Sequence, residues 1–431
     1  MKTIKRLTLI YIILLAAFTA MITAVFCIPT SLVRENVEKS AMQIEDDGLW
    51  YKPLGFYLFQ IDNMTDCQML RINASADSQH PVMAAMMAEQ YENASDTLHP
   101  YYYVVEATKH IAHTGRTSSG LYSNYARYWH GYQIFLRPLL TLFTYHTIIL
   151  INYILLSMLV LFVIYASYRT FGGLFAITLV ASLIATNIFI VPLALQFSTC
   201  YYIALLGMAT LMLKPEYAGD KLRCLSLFFI IGGITSYMDF LTTPLLTLGM
   251  PMVVVMAIKK RTKRNGKGFL SDFHTILSTS VSWGAGYSLL WISKWAIGSL
   301  LTGYNIFDSA MTNAKLRVGN TIVFGGNEMA MSDFIGMVFN KVCTMVSIYG
   351  IIIFIFILIV LAIITAYIYR HRMQTRQYGW ILIIAIMPIV WFAVMKNHSL
   401  QHIFFTWRDF LLTVWCVTLY ICLTIRKQRA I

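Results

Sequence analysis

Val25-Phe26-Cys27-Ile28-Pro29-Thr30-Ser31-Leu32-Val33-Arg34-Glu35 marks an abrupt change in the composition of the chain. Before it, residues 7–28 are predominantly apolar and follow Lys2, Lys5 and Arg6. After it, a polar interval runs from Pro29 to Tyr145 and holds twelve of the 20 acidic side chains, Glu35 to Glu106, so carboxylate chemistry is concentrated there. The apolar run is long enough to span a bilayer and long for the apolar core of a signal peptide. No small-x-small cleavage site follows it cleanly. It reads as an uncleaved first membrane helix, and the acidic interval as a large loop held against the membrane at both ends.

The rest of the chain agrees with a membrane setting. It is 58% hydrophobic and 12% charged, a balance that a soluble protein of this length could not bury. The formal charge of +13 does not point to nucleic acid. Its basic residues fall in short clusters between apolar runs, the positive-inside pattern, without an aromatic-basic strip or nucleic-acid motif. Further spans are expected at about 147–167, two within 172–213 with a break near Pro192 to Ser198, two short ones within 224–258, then 275–296, 345–368, 379–395 and 409–425. Lys259-Lys260-Arg261 with Lys263, Arg264 and Lys267 should be cytoplasmic, which forces an even number of crossings after Arg223 and puts Asp239 at an outer turn. The expected fold is an all-α polytopic membrane bundle of about ten helices. It forms one membrane domain over 1–431, with an extracytoplasmic loop at 30–146, a second at 298–343 and both termini cytoplasmic.

Within the first loop, Pro81 to Glu92 and Tyr101 to His113 read as helices that would lie flat at the interface. No internal repeat or low-complexity tract interrupts the chain. Seven cysteines lack metal spacing and a disulfide framework; Cys67 with Cys343 is the one pairing an oxidising compartment would allow. Asn63, Asn73, Asn93 and Asn397 begin Asn-x-Ser/Thr sequons.

Three constellations could carry chemistry. Glu45-Asp46-Asp47 places adjacent carboxylates shortly after the first span, where one could act as a general base or the group could share a divalent cation. A solvated turn is the plain alternative, since Asp-Asp-Gly is a common turn signal. Asp62 and Asp66, in the same loop, serve equally as substrate ligands or helix caps. In the second constellation a helix through Arg127 would align His130, Ile134 and Arg137 on one face, a clamp for a lipid phosphate or a set of interfacial anchors. Pro138 biases Arg137 away from that face. In the third, His398 and His402 share a face but lack a carboxylate at metalloprotease spacing, so phosphate or sugar contact by His402 and Arg408 outweighs a metal site. Asp239 and Lys294 complete the set as site residues or an ion pair within the bundle. Gly-rich phosphate loops, serine-nucleophile motifs and clear zinc motifs are missing. So are the paired half-helices of a secondary transporter.

A basic N-terminus, one span and a large outer loop with an early acidic pair at Asp46-Asp47 or Glu45-Asp46 resemble the GT-C superfamily of membrane glycosyltransferases. The resemblance covers the layout of nearly the whole chain, but lacks the Trp-Trp-Asp motif and C-terminal soluble domain of oligosaccharyltransferase-like members. It implies transfer of a sugar from a polyprenyl-phosphate donor to a glycan or lipid acceptor at the outer face of the cell membrane. The base would be Asp46, Asp47 or Glu45, and Arg127, Arg137, Lys294 and Arg408 would face the phosphate. Two other functions stay open: a transporter or flippase of a lipid-linked sugar, and a structural partner in envelope polysaccharide assembly.

Overall fold

Local signals set the N-terminal part of the chain before any long-range contact is needed. Helix α1 (Lys2–Phe26) stops just before Pro29, and α2 (Ser31–Asp47) begins two residues beyond that proline. Val33, Val37, Ala41 and Ile44 recur at helical spacing and form the buried stripe of α2. Gly48, at φ +87°, ends it and returns its N–H to Ile44. Asp62 caps α3 (Asn63–Ser75) by accepting from the Thr65 amide at 3.1 Å. The computed structural model describes residues 2–53, 55, 59–92, 103–262, 268–318, 322–324, 327–330, 332–333, 336–337, 340 and 378–426.

The helix expected over 81–92 is shorter. Helix α4 (Pro81–Met87) ends at Ala88, which adopts a left-handed φ of 45°. Gln90–Glu92 then leaves as strand β1, because its backbone pairs antiparallel with β2 (Leu121–Ser123). Helix α5 (Tyr103–Thr114) lies where the sequence predicts one. The apolar sides of these helices face one another. Val33, Val37 and Ile44 meet Cys67, Leu70, Val104 and Ile111 in one buried cluster. Burying each such aliphatic side chain contributes roughly 1.5–3 kcal/mol, so α2, α3 and α5 form a packed unit and do not each present an apolar side outward. Cys67 is a buried free thiol against Val104 and Thr108; Cys343 lies outside the described residues.

Helix α6 (Gln133–Leu140) leads from this unit into α7 (Tyr145–Phe171). There follow α8 (Gly173–Ala185), a short 3-10 turn at Val191–Leu193, α9 (Leu195–Leu213), the single turn α10 (Glu216–Gly219) and α11 (Lys221–Met238). After them come α12 (Pro244–Thr262), α13 (Phe269–Thr302), α14 (Ile306–Val318) and the paired strands β3 (Ile322–Phe324) and β4 (Asn327–Met329). The chain closes with α15 (Gly379–Val394), α16 (Lys396–Gln401), the turn α17 (Ile403–Thr406), a 3-10 turn at Trp407–Asp409 and α18 (Phe410–Arg426).

The fold is all-α apart from two small two-stranded sheets among the described residues. Five stretches there are long and apolar enough to cross a membrane: Lys2–Phe26, Tyr145–Phe171, Leu195–Leu213, Lys221–Met238 and Ile403–Thr424. A helix also lies over each other expected span except 345–368, which falls outside the described residues. Those helices differ from simple spans. Helix α12 is buried on nearly every side, touching α9, α11, α15 and α18. Helix α13 has 34 residues, which at 1.5 Å each exceeds a hydrocarbon core. It crosses α11 in close contact. A Cβ on Gly232 would lie 2.0 Å from the Trp283 carbonyl, and one on Gly286 would lie 2.1 Å from that of Phe229, so the two backbones touch through the missing side chains.

Candidate functional site

The segment 125–132 is not helical, and α6 begins only at Gln133. His130 holds a left-handed φ of 57°, which is costly for a residue with a side chain. Gly131 follows, its amide donating to the Tyr237 carbonyl at 2.8 Å. A Cβ there would lie 2.6 Å from that same oxygen, so the sharp turn requires glycine. The expected single face of Arg127, His130 and Arg137 is therefore absent: the turn sends the three side chains to separate surroundings.

Arg127 enters a cluster of aromatic rings. Its guanidinium lies 4.3 Å from the centre of the Tyr125 ring and 5.4 Å from that of Tyr128. Its carbonyl accepts from the indoles of Trp291 and Trp295 at 2.7 and 2.9 Å. Tyr128 stacks on Trp291 and meets Phe240 edge-on. Arg317, from α14, donates to the Tyr128 hydroxyl at 2.5 Å, and its guanidinium lies 5.7 Å from the same ring. Two guanidiniums thus share one tyrosine. Neither forms an ion pair with a carboxylate among the described residues, and the buried Arg127 Nε has no hydrogen-bond partner there. Cation–π contact holds such charges without neutralising them.

The turn between α11 and α12 closes one side of this cluster. Asp239 is buried and accepts from the amide and hydroxyl of Thr242. Leu241 follows at a left-handed φ of 68°, and His398 Nε2 donates to its carbonyl at 2.7 Å. The His398 and His402 rings lie 4.8 Å apart. Burial pushes His130 down to about 3, with Lys294 and Arg127 adding to the effect. Burial, then His402 and Arg317, hold His398 well below the usual histidine range. Both imidazoles are therefore neutral near pH 7 and offer hydrogen bonds, while the arginines supply the charge.

The remaining candidates lie elsewhere. Glu45 pairs with Lys109 and Asp47 with His146, each at 2.8 Å, while Asp46 is exposed. No contact among the described residues joins this acidic run to the tyrosine cluster, although Trp50 meets Phe404 edge-on beside His402. Asp62 accepts from Thr65 and Gln196. Asp66 accepts from Tyr145 and from the Leu195 and Gln196 amides, so it caps α9 from another element. Burial raises the Asp66 carboxyl to about 7. Arg137 donates to the Ile28 and Asn73 carbonyls at 2.7 and 3.0 Å. Lys294 donates to the Met86 carbonyl at 2.6 Å, and Arg408 to that of Phe404 at 2.8 Å.

Asn63, Asn73 and Asn397 are buried, which puts three of the four sequons out of reach in the folded chain; Asn93 lies outside the described residues. Among the described residues no three His, Cys, Asp or Glu side chains gather as a metal site. Arg317 carries no signal in its own stretch that marks it as a site residue. It stands 189 residues from the tyrosine it meets, and only the assembled fold brings the two together. The chain matches no protein-family model, no curated protein and no solved structure.

Proposed function

We propose that this protein is a GT-C-type membrane glycosyltransferase that takes a sugar from a polyprenyl-phosphate donor at the outer face of the cell membrane. In this reading the chain crosses about ten times, has both termini in the cytoplasm, and exposes residues 30–146 and 298–343 outside. The observation that carries it is the pair Arg127 and Arg317, held on Tyr125 and Tyr128 without a carboxylate partner among the described residues. Planar guanidiniums suit phosphate oxygens, and a buried phosphate needs such donors.

The donor phosphate would lie across the two arginines. As the acceptor hydroxyl attacks the anomeric carbon, its bond to the phosphate oxygen breaks. Polyprenyl phosphate leaves with the electron pair, stabilised by the guanidiniums. The proton of the hydroxyl passes to a carboxylate. Two sets compete for that role: Glu45-Asp46-Asp47 after the first helix, and Asp239, whose neighbour Phe240 packs on both tyrosines. The polyprenyl phosphate already activates the sugar, so a nucleotide site is not required.

The test is purified protein in liposomes given a polyprenyl-phosphate sugar and a mixed envelope-glycan acceptor pool. The transferase reading expects free polyprenyl phosphate and a glycosylated product. A donor recovered chemically intact but moved across the bilayer would replace it with the flippase reading; an intact donor left in place would overturn both.

A further inference from the structure

A concavity opens on the packed unit of the polar interval, away from the tyrosine cluster. It encloses about 560 Å³, within the range of small-molecule sites. Ser31, Arg34, Ser78, Gln79, Arg116 and Tyr122 are among the residues that line it. Its position is set by the end of α1: Thr30 donates to the Ala76 carbonyl at 2.7 Å and fastens α2 to the loop after α3.

The polar groups fall into two sets. Arg116 is already engaged, with Glu89 at 2.7 Å and the Ser75 carbonyl at 3.0 Å, and it lies over the Tyr122 ring at 4.2 Å. Arg34 has no ion pair among the described residues. Its guanidinium occupies the space above Gly115, where a Cβ would come within 2.0 Å of it; Gly115 leaves the room that Arg34 fills. Asp77 also lies on the wall, held by the Gln79 amide and His80. One uncommitted cation beside hydroxyls, an amide and a carboxylate is a poor match to a bare anion, which the carboxylate would repel. It suits a ligand with one negative group and several hydroxyls that both donate and accept.

We infer that this concavity binds an acidic sugar unit, with Arg34 on the carboxylate or phosphate of the sugar and Ser31, Ser78, Gln79 and Asp77 on its hydroxyls. Binding itself does not depend on the transferase reading. Its use as the acceptor subsite does rest on that reading, and it would make the acceptor an anionic glycan.

The experiment measures binding of methyl glucuronide, methyl glucoside and inorganic phosphate to the full chain in nanodiscs by ligand-observed NMR. The expected result is glucuronide binding at least tenfold tighter than glucoside or phosphate, a preference lost in Arg34→Gln and regained in Arg34→Lys. Binding of polyprenyl-phosphate donor should be the same in all three proteins. If donor binding is absent throughout but the glucuronide preference holds, the transferase reading fails and this site stands. Equal affinity for glucuronide and glucoside, or none for either, overturns the inference, as does phosphate binding as tightly as glucuronide. Loss of preference in Arg34→Lys with an unchanged thermal midpoint would remove the charge from the argument.

Discussion

Arg127→Gln and Arg317→Gln should weaken donor binding without weakening the fold. Both side chains lie on Tyr128, one over its face and one at its hydroxyl, and no carboxylate among the described residues balances them. Removing one charge in the ligand-free protein relieves repulsion between like charges, so the thermal midpoint should stay level or rise slightly. With donor bound, each variant loses a charge-assisted hydrogen bond to phosphate, about 1.5–3 kcal/mol, or roughly ten- to a hundredfold in affinity. The double variant should lose more than the product of the two. Once one guanidinium is gone, the other can recentre on the phosphate, and groups acting as a unit couple by about 0.5–3 kcal/mol. Two measurements suffice: donor affinity by equilibrium binding in detergent, and thermal unfolding of the same preparations. Normal donor affinity in both single variants would refute the clamp. So would affinity losses that only track losses of stability, because arginines that anchor the interface would behave in that way.

Asp66→Asn tests the cap on α9. Burial raises the carboxyl of Asp66 to about 7, above its unfolded value, so its contribution is full below about pH 4 and fades as pH rises to 7, by at most about 4 kcal/mol. Wild-type stability should fall relative to Asp66→Asn between pH 5 and 7, and a constant gap between their thermal midpoints would contradict this. For the base, one carboxylate set should drop turnover about 10²–10⁴-fold with donor binding unchanged: Glu45→Gln, Asp46→Asn and Asp47→Asn on one side, Asp239→Asn on the other. Near-normal turnover in all four removes carboxylate catalysis by these residues. For orientation, a cysteine introduced at Lys263 should resist impermeant labelling of intact cells while one at Gln79 reacts; labelling at Lys263 from outside would sink the ten-span topology.

Much of the helical framework was legible because its signals are local. The carboxylate cap at Asp62 and the break before α9 depend on residues within a turn or two of each other, and spacing reports them; the stripe of α2 is as local, but the charges interleaved with it made the segment read as loop. The site was far less legible. A helix through Arg127 was the natural reading of a run with few breakers, but the turn at His130 is imposed by Tyr237 pressing on Gly131. That is a contact made a hundred residues later. Arg317 fails to stand out for the same reason: its partner is an aromatic ring from another segment, and no spacing rule reaches so far. The acidic run, conversely, was conspicuous because it is exposed, and exposed charges are the commonest feature of any surface.

The fate of the buried cations sets off the half-buried arginine pair. Arg137 ends on carbonyls at the close of α1 and in the last turn of α3; Lys294 ends on carbonyls in the last turn of α4. Each thus meets the negative end of a helix, an interaction that offsets burial and needs no acidic side chain. These positions hold elements together, and their donors point at protein. Arg71 takes the other route and pairs with Glu92. Arg127 and Arg317 follow neither: they rest on ring faces and a phenol, and Arg127 Nε has no partner among the described residues. Arg408 also rests on rings, those of Phe197 and Trp407, with its Nε and one terminal N–H unpartnered among the described residues; what sets Arg127 and Arg317 apart is that the two meet at one tyrosine. In the proposed reading their complement is an anion from outside the chain, and the phosphate of a lipid donor entering between the apolar helices would supply it.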